Sequence, residues 1–284
     1  MPPAFVLLQY LLPQHILSRA IWLFTRVRWA PFKNALIGVF VRGYGIDLGE
    51  SCVSNWRDFA SFNAFFTRAL QPWARPLTQR AGAMACPVDG TVSQLGALHG
   101  TQLLQAKGHH YSLQQLLSAA APACAAQLQD GQFATLYLAP YNYHRIHMPC
   151  DGSLREAWHV PGALFSVNAT TAASVPALFA RNERVVLLFE GAAGPFVMVL
   201  VGALFVGSMT TIWHGDITPR RAAGPTRLLP LANAPAAELA RGDELGRFNM
   251  GSTVILLFGP QQAQWRADLA AGTTVRMGED IGTL

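Results

Sequence analysis

The chain has 284 residues, of which 51% are hydrophobic and 13% charged, with a formal net charge of +5. That length suits one large domain or a domain with an appendage, and the composition can bury a sizeable core. Only two lysines occur, Lys33 and Lys107, so any chemistry that needs a lysine Schiff base has just those two candidates. Four widely spaced cysteines (Cys52, Cys86, Cys124, Cys150) with no Cys-x-x-Cys pair speak for reduced thiols in a cytosolic setting and against a disulfide scaffold. No secretory signal is read at the N-terminus, because "MPPAF" lacks a basic region ahead of the first apolar run.

Residues 1–46 form a basic block, with Arg19, Arg26, Arg28, Lys33 and Arg42 and no acid before Asp47. Pro13 and the polar Gln9, Gln14 and His15 keep any apolar run short of the roughly 18 residues a spanning helix needs. Over residues 16–28 the helical period gathers Ile16, Leu17, Ala20, Ile21, Leu23, Phe24 and Val27 on one arc. Ser18, Arg19, Thr25 and Arg26 lie opposite, with Trp22 the misfit among them. Such a helix either packs on its own domain or lies in the interface of an anionic membrane, where each basic residue contributes ~1 kcal/mol. Residues 54–70 read as another helix with Ser54 as its cap, and "QPWARP" (71–76) marks a boundary.

Beyond residue 76 the texture changes to short β-branched or apolar runs broken by glycine and proline: 134–140, 184–191, 196–212, 252–259 and 273–278. One short helix is expected around "SLQQLLSAA" (112–120). The fold class is therefore α+β, a helical, membrane-associating region (1–76) followed by a β-rich catalytic domain (77–284).

Four stretches can carry chemistry. "CPVDGTVSQLG" (86–96) places Asp89 before Gly90, which is also a strong hairpin-turn signal. "YNYHRIHMPCDG" (141–152) offers His144 and His147, and "GALFSVN" (162–168) offers one serine in an apolar loop. "GRFNMGSTVILLFG" (246–259) sets Gly251 and Ser252 just before a buried strand. Although His144, His147 and Cys150 recur every three residues, a fourth ligand and polar surroundings are lacking, and no metal is expected. Asp89, His147 and Ser252 together supply an orienting carboxylate, a base and a nucleophile. No serine sits in the Gly-x-Ser-x-Gly elbow of a common hydrolase. Glycine before Ser252 instead frees the preceding carbonyl for attack by the serine's own hydroxyl. The ester so formed can eliminate and leave a residue that hydrolyses to a pyruvoyl group.

Through "PVDGTVSQLG", "KGHHYSL", "YHRIHMPCDG", "LFSVN", "LFARNERV", "ITP" and "GRFNMGSTVILLF", most of residues 54–284 resembles the bacterial phosphatidylserine decarboxylases. The family's Leu-Gly-Ser tripeptide is Met250-Gly251-Ser252 here, one flexible apolar residue for another. The resemblance implies self-cleavage between Gly251 and Ser252, giving a β chain (1–251) and an α chain (252–284) headed by a covalent pyruvoyl group made from Ser252. It implies that this ketone takes the amine of phosphatidylserine and accepts the electrons released with carbon dioxide, yielding phosphatidylethanolamine. His144 is then the candidate for holding the carboxylate or supplying the proton, and His147 with Asp89 the maturation pair. Phe165, Ser166 and Val167 become candidates for substrate contact. The resemblance further implies a homodimer of the processed unit, peripheral on the cytoplasmic face of the cell membrane. Phosphatidylserine and an anionic membrane surface are its partners, and no nucleic acid is expected. A membrane-associated serine hydrolase with an intact Ser252, a non-catalytic lipid-binding protein and a soluble pyruvoyl amino-acid decarboxylase are the rival readings.

Overall fold

A computed structural model of the chain describes residues 3–205, 208–217, 223–229 and 237–284. Helices α1 (Ala4–Leu11) and α2 (Gln14–Thr25) are separated at Pro13, ahead of which Leu12 is extended as a residue before proline must be. Helix α3 (Ala30–Tyr44) carries a proline in its first turn and stops at Gly45, whose φ of 62° suits a left-handed cap.

Helix α2 is turned inside out. Ser18 and Thr25 are its buried residues, whereas Ile16 (65% exposed) and Leu23 (58%) face outward with Phe24 and Val27. Of the five basic residues of this block, Arg19, Arg28 and Arg42 are exposed. Arg26 is paired with Asp216 at 3.2 Å, and Lys33 is buried and bonded to the Asn34 side chain and the Arg57 carbonyl. No described helix is long and apolar enough to cross a membrane.

The single helix expected over residues 54–70 is instead two short pieces. A 3-10 turn, Trp56–Asp58, is capped by Asn55, and α4 (Phe62–Phe66) is capped by Ser61, whose hydroxyl accepts the Ala64 N–H at 3.2 Å. Two capping side chains six residues apart restart the helix, and the intervening chain is extended at Phe59. Phe59, Phe62, Phe65 and Phe66 then bury against Ile37 of α3 in a core of their own. The helix expected at 112–120 runs Leu113–Leu117 behind a Ser112–Gln115 capping box and is followed by a further helix, Ala121–Leu128.

Among the described residues the β-rich part is built on a nine-stranded antiparallel sheet. Its centre is the strand Ser252–Phe258, wholly buried, hydrogen-bonded to Gln132–Leu138 on one side and Gly194–Val201 on the other. A run of seven buried residues is what a strand covered on both faces requires. A four-stranded sheet beside it holds Met209–Thr211, Glu244–Phe248 and Arg145–His147. Glu244–Phe248 of the smaller sheet and Ser252–Phe258 of the larger are joined by residues 249–251 alone. Of the "ITP" motif, Thr218 and Pro219 lie outside the described residues.

Candidate active site

The three linking residues are held from both ends. Asn249 is buried, and its amide donates to the Ser208 carbonyl at 3.2 Å, the Ser208 hydroxyl and Thr210 Oγ1 at 2.9 Å. Its Oδ1 accepts from Asn63 of α4 at 3.0 Å. Met250 packs against both hydrophobic cores. Asn249 was not singled out from the sequence; the signal available was an amide-bearing residue in an otherwise apolar stretch, two positions before Gly251.

Ser252 then opens the central strand opposite Leu138, and its hydroxyl is buried with no hydrogen-bond partner. Gly251 has no left-handed φ, and a Cβ there would meet Leu138 O at 3.4 Å and His144 Nε2 at 3.7 Å. Neither backbone nor packing demands glycine at this place. What a side chain would do is stand beside the His144 imidazole.

His144 is set by a turn, Ala139-Pro140-Tyr141-Asn142, which the Asn142 side chain closes by accepting the Ala139 N–H at 2.7 Å. The His144 ring lies 4.1 Å from that of Phe66. Its Nδ1 lies 2.8 Å from the Asn142 carbonyl, and since a carbonyl only accepts, Nδ1 carries the hydrogen. Nε2 is then an unprotonated nitrogen, buried and without a partner. Burial, aided by the Arg68 charge, lowers the His144 pKa to about 3. The ring is a neutral base beside Gly251.

His147 differs at each nitrogen. Its Nδ1 donates to the Gly242 carbonyl at 2.8 Å, and its Nε2 accepts from the Tyr143 hydroxyl at 3.0 Å. Burial lowers its pKa as well. The expected carboxylate–imidazole hydrogen bond between Asp89 and His147 is not formed. Asp89 accepts instead from Arg75 Nε at 2.8 Å and Nη2 at 2.5 Å, and from the Met277 N–H at 2.9 Å. A bidentate guanidinium outcompetes a neutral imidazole for a buried carboxylate. Asp89 reaches His147 only through its field, which favours the protonated ring. Nor is Asp89-Gly90 a hairpin turn: Gly90 opens a strand in the large sheet, and a Cβ there would lie 2.4 Å from Tyr137 O.

In the 162–168 loop, Phe165 and Val167 belong to the main core and Ser166 is half-buried. Asn182 holds the Phe165 backbone by both its N–H and its carbonyl. Two helix glutamines hold its neighbours: Gln14 Oε1 accepts the Leu164 N–H at 2.6 Å, and Gln9 Oε1 the Ser166 N–H at 2.7 Å. Leu164 lies against Gly202, the residue after Val201, which pairs with Thr253. The loop is thus fixed between α1–α2 and the sheet end at which Ser252 lies. Among the described residues no cluster of three or more His, Cys, Asp or Glu is placed to hold a metal ion.

The phosphatidylserine decarboxylase family model matches residues 62–283, and a second model described as PSD matches residues 4–45. The phosphatidylserine decarboxylase proenzyme of Ectopseudomonas mendocina (strain ymp) is 52% identical over 279 residues, 98% of this chain and 97% of its own. The proenzymes of that name from Methylococcus capsulatus and Pseudomonas putida (strain KT2440) are each 50% identical, covering 98% of this chain and 96% of their own.

Proposed function

The chain belongs to the phosphatidylserine decarboxylase family, and from that premise we propose that it decarboxylates phosphatidylserine to phosphatidylethanolamine after cutting itself between Gly251 and Ser252. One observation carries the reading: the buried, unpartnered Ser252 hydroxyl follows a glycine beside the free nitrogen of a neutral imidazole. A hydroxyl oxygen that attacks the Gly251 carbonyl needs such a base for its proton. The ester formed breaks by elimination, so the β chain ends at Gly251 and the α chain begins at the former Ser252.

These residues fit a pyruvoyl group at position 252, because the hydroxyl that must be converted has no competing partner and the strand behind it is locked into ladders on both sides. When formed, that group supplies a ketone that draws electrons from the substrate α-carbon as carbon dioxide departs. His144 Nε2, unprotonated at rest, is placed to take a proton from the substrate's ammonium group and return it to the α-carbon in place of the carboxylate, and Phe66 and the buried strand keep water from it. Of the loop residues, we carry Ser166 forward as the substrate contact, since Phe165 and Val167 are spent on packing.

For maturation two assignments stand. The family resemblance gives it to His147 with Asp89, supported by the field of Asp89 on that ring. A second reading gives it to His144, because Tyr143 already occupies His147 Nε2 whereas His144 Nε2 is free. The exposed apolar side of α2, with Arg19, Arg28 and Arg42, docks the enzyme peripherally on the anionic cytoplasmic face of the membrane. Residues 1–76 serve that docking and 77–284 the chemistry, with the processed unit pairing as a homodimer.

Intact-mass spectrometry tests the whole reading. Wild type should give two chains with a blocked small-chain N-terminus, and Ser252→Ala one uncut, inactive chain. A whole wild-type chain with esterase activity would favour the serine hydrolase instead. His147→Ala and His144→Ala, compared on a gel and by carbon dioxide release, separate the two maturation assignments: whichever variant accumulates uncut precursor has lost the base for cleavage.

A further inference from the structure

Arg68 follows α4 and is 7% exposed. Its segment is fixed, since the Arg68 N–H donates to the Phe65 carbonyl at 3.2 Å and the Thr67 carbonyl accepts Arg145 Nε at 3.0 Å. Among the described residues nothing comparable holds its guanidinium: Nε is buried without a partner, no carboxylate lies within ion-pair distance, and the guanidinium lies over the Phe65 ring at 5.5 Å.

The two acids near it are already taken. Asp89 receives two bonds from Arg75 and one from a backbone N–H; Glu50 receives Arg75 at 2.8 Å and Arg276. Three arginines thus share two carboxylates, and Arg68 is the surplus cation. A buried charge without a partner is costly, and proteins keep one where a ligand completes it. Its position says which ligand. Phe66, two residues before it, lies against the His144 ring at 4.1 Å, and Thr67, the residue before it, holds Arg145, the residue after His144; the Arg68 charge acts on His144 itself, so it stands in the neighbourhood of the imidazole beside Gly251.

We propose that Arg68 binds the phosphodiester of the phospholipid headgroup and so positions the serine moiety at the former Ser252. The headgroup has two anions, and the chemistry separates them. The carboxylate must surrender its electrons and leave as neutral carbon dioxide, so a cation bonded to it would hold back the step. The phosphodiester stays anionic from substrate to product, and a planar guanidinium matches two of its oxygens.

This proposal rests on the decarboxylase reading, and the test keeps the two apart. Processed wild type, Arg68→Gln and Arg68→Lys are assayed in detergent micelles on phosphatidylserine and on an O-alkyl serine that lacks phosphate. Arg68→Gln should raise KM for phosphatidylserine about tenfold to hundredfold, the loss of a charged hydrogen bond. Its kcat should change little, its kcat/KM on the phosphate-free substrate should match wild type, and Arg68→Lys should recover part of the loss. Dimethyl phosphate should inhibit wild type competitively and the Gln variant weakly. Equal losses on both substrates, or unchanged kinetics on both, would overturn the proposal. If Arg68→Gln does not mature, the same comparison on Arg68→Lys decides it. A wild-type protein inert on phosphatidylserine would sink the decarboxylase reading instead.

Discussion

The state of His144 has a consequence for acid stability. Burial lowers its pKa from 6.5 to about 3, so the folded protein binds fewer protons at this ring than the unfolded chain below pH 6.5. The stability the neutral ring confers is therefore complete above pH 6.5 and is lost as pH falls from there toward 3. One pKa unit corresponds to about 1.4 kcal/mol, which puts the loss at about 2 kcal/mol at pH 5 and about 3 kcal/mol at pH 4. His147 and the carboxylates titrate in the same range, so the measurement must be a difference. Ser252→Ala keeps the chain in one piece, and Ser252→Ala with His144→Asn replaces the imidazole by a group that takes up no proton. Denaturant unfolding of both between pH 7 and 4 should show the first losing stability faster, by those amounts. Parallel curves would mean that His144 is accessible to protons in the folded state. The same ring predicts that self-cleavage in wild type, if His144 is its base, stays level well below pH 6.5.

Gly251→Ala should fold normally, since a Cβ meets only ordinary contacts at 3.4 and 3.7 Å, yet self-cleave about 10- to 100-fold more slowly with a methyl beside His144 Nε2. Wild-type cleavage kinetics on a gel would refute that. Replacing Arg19, Arg28 and Arg42 by serine should weaken binding to phosphatidylglycerol vesicles by ~3 kcal/mol, roughly a hundredfold, whereas Arg26→Ser, an ion-paired residue, should weaken it far less. Equal effects in a vesicle sedimentation assay would show that the exposed arginines do not face the bilayer. Asp89→Asn should cost about 1.5–3 kcal/mol in unfolding measurements by weakening the charged bonds between Asp89 and Arg75, which keeps Glu50 as its one carboxylate. An unchanged stability with abolished cleavage would return Asp89 to the imidazole.

What could be read along the chain was local. The run Val254–Phe258 announces a buried strand by its unbroken apolar character, and the Gly-Ser step raises the expectation of self-cleavage by the carbonyl that glycine leaves unhindered. The period of residues 16–28 shows an amphipathic helix. His144 and His147 stand three residues apart, and the two rings have different partners. None of this says what stands opposite. A periodic pattern defines two faces without saying which is covered, and in α2 Ser18 and Thr25 are buried and Arg26 is paired with Asp216. Asp89 beside a histidine-rich motif suggests a triad, but Arg75, fourteen residues before it, takes the carboxylate. Asn63 reaches Asn249 across 186 residues, and Gln9 reaches the Ser166 amide across 157. Hydrogen bonds and ion pairs act over a few ångströms in space, whatever the separation along the chain. Which polar groups satisfy one another, and which one is left for a ligand, was therefore decided only when the sheets and helices had packed.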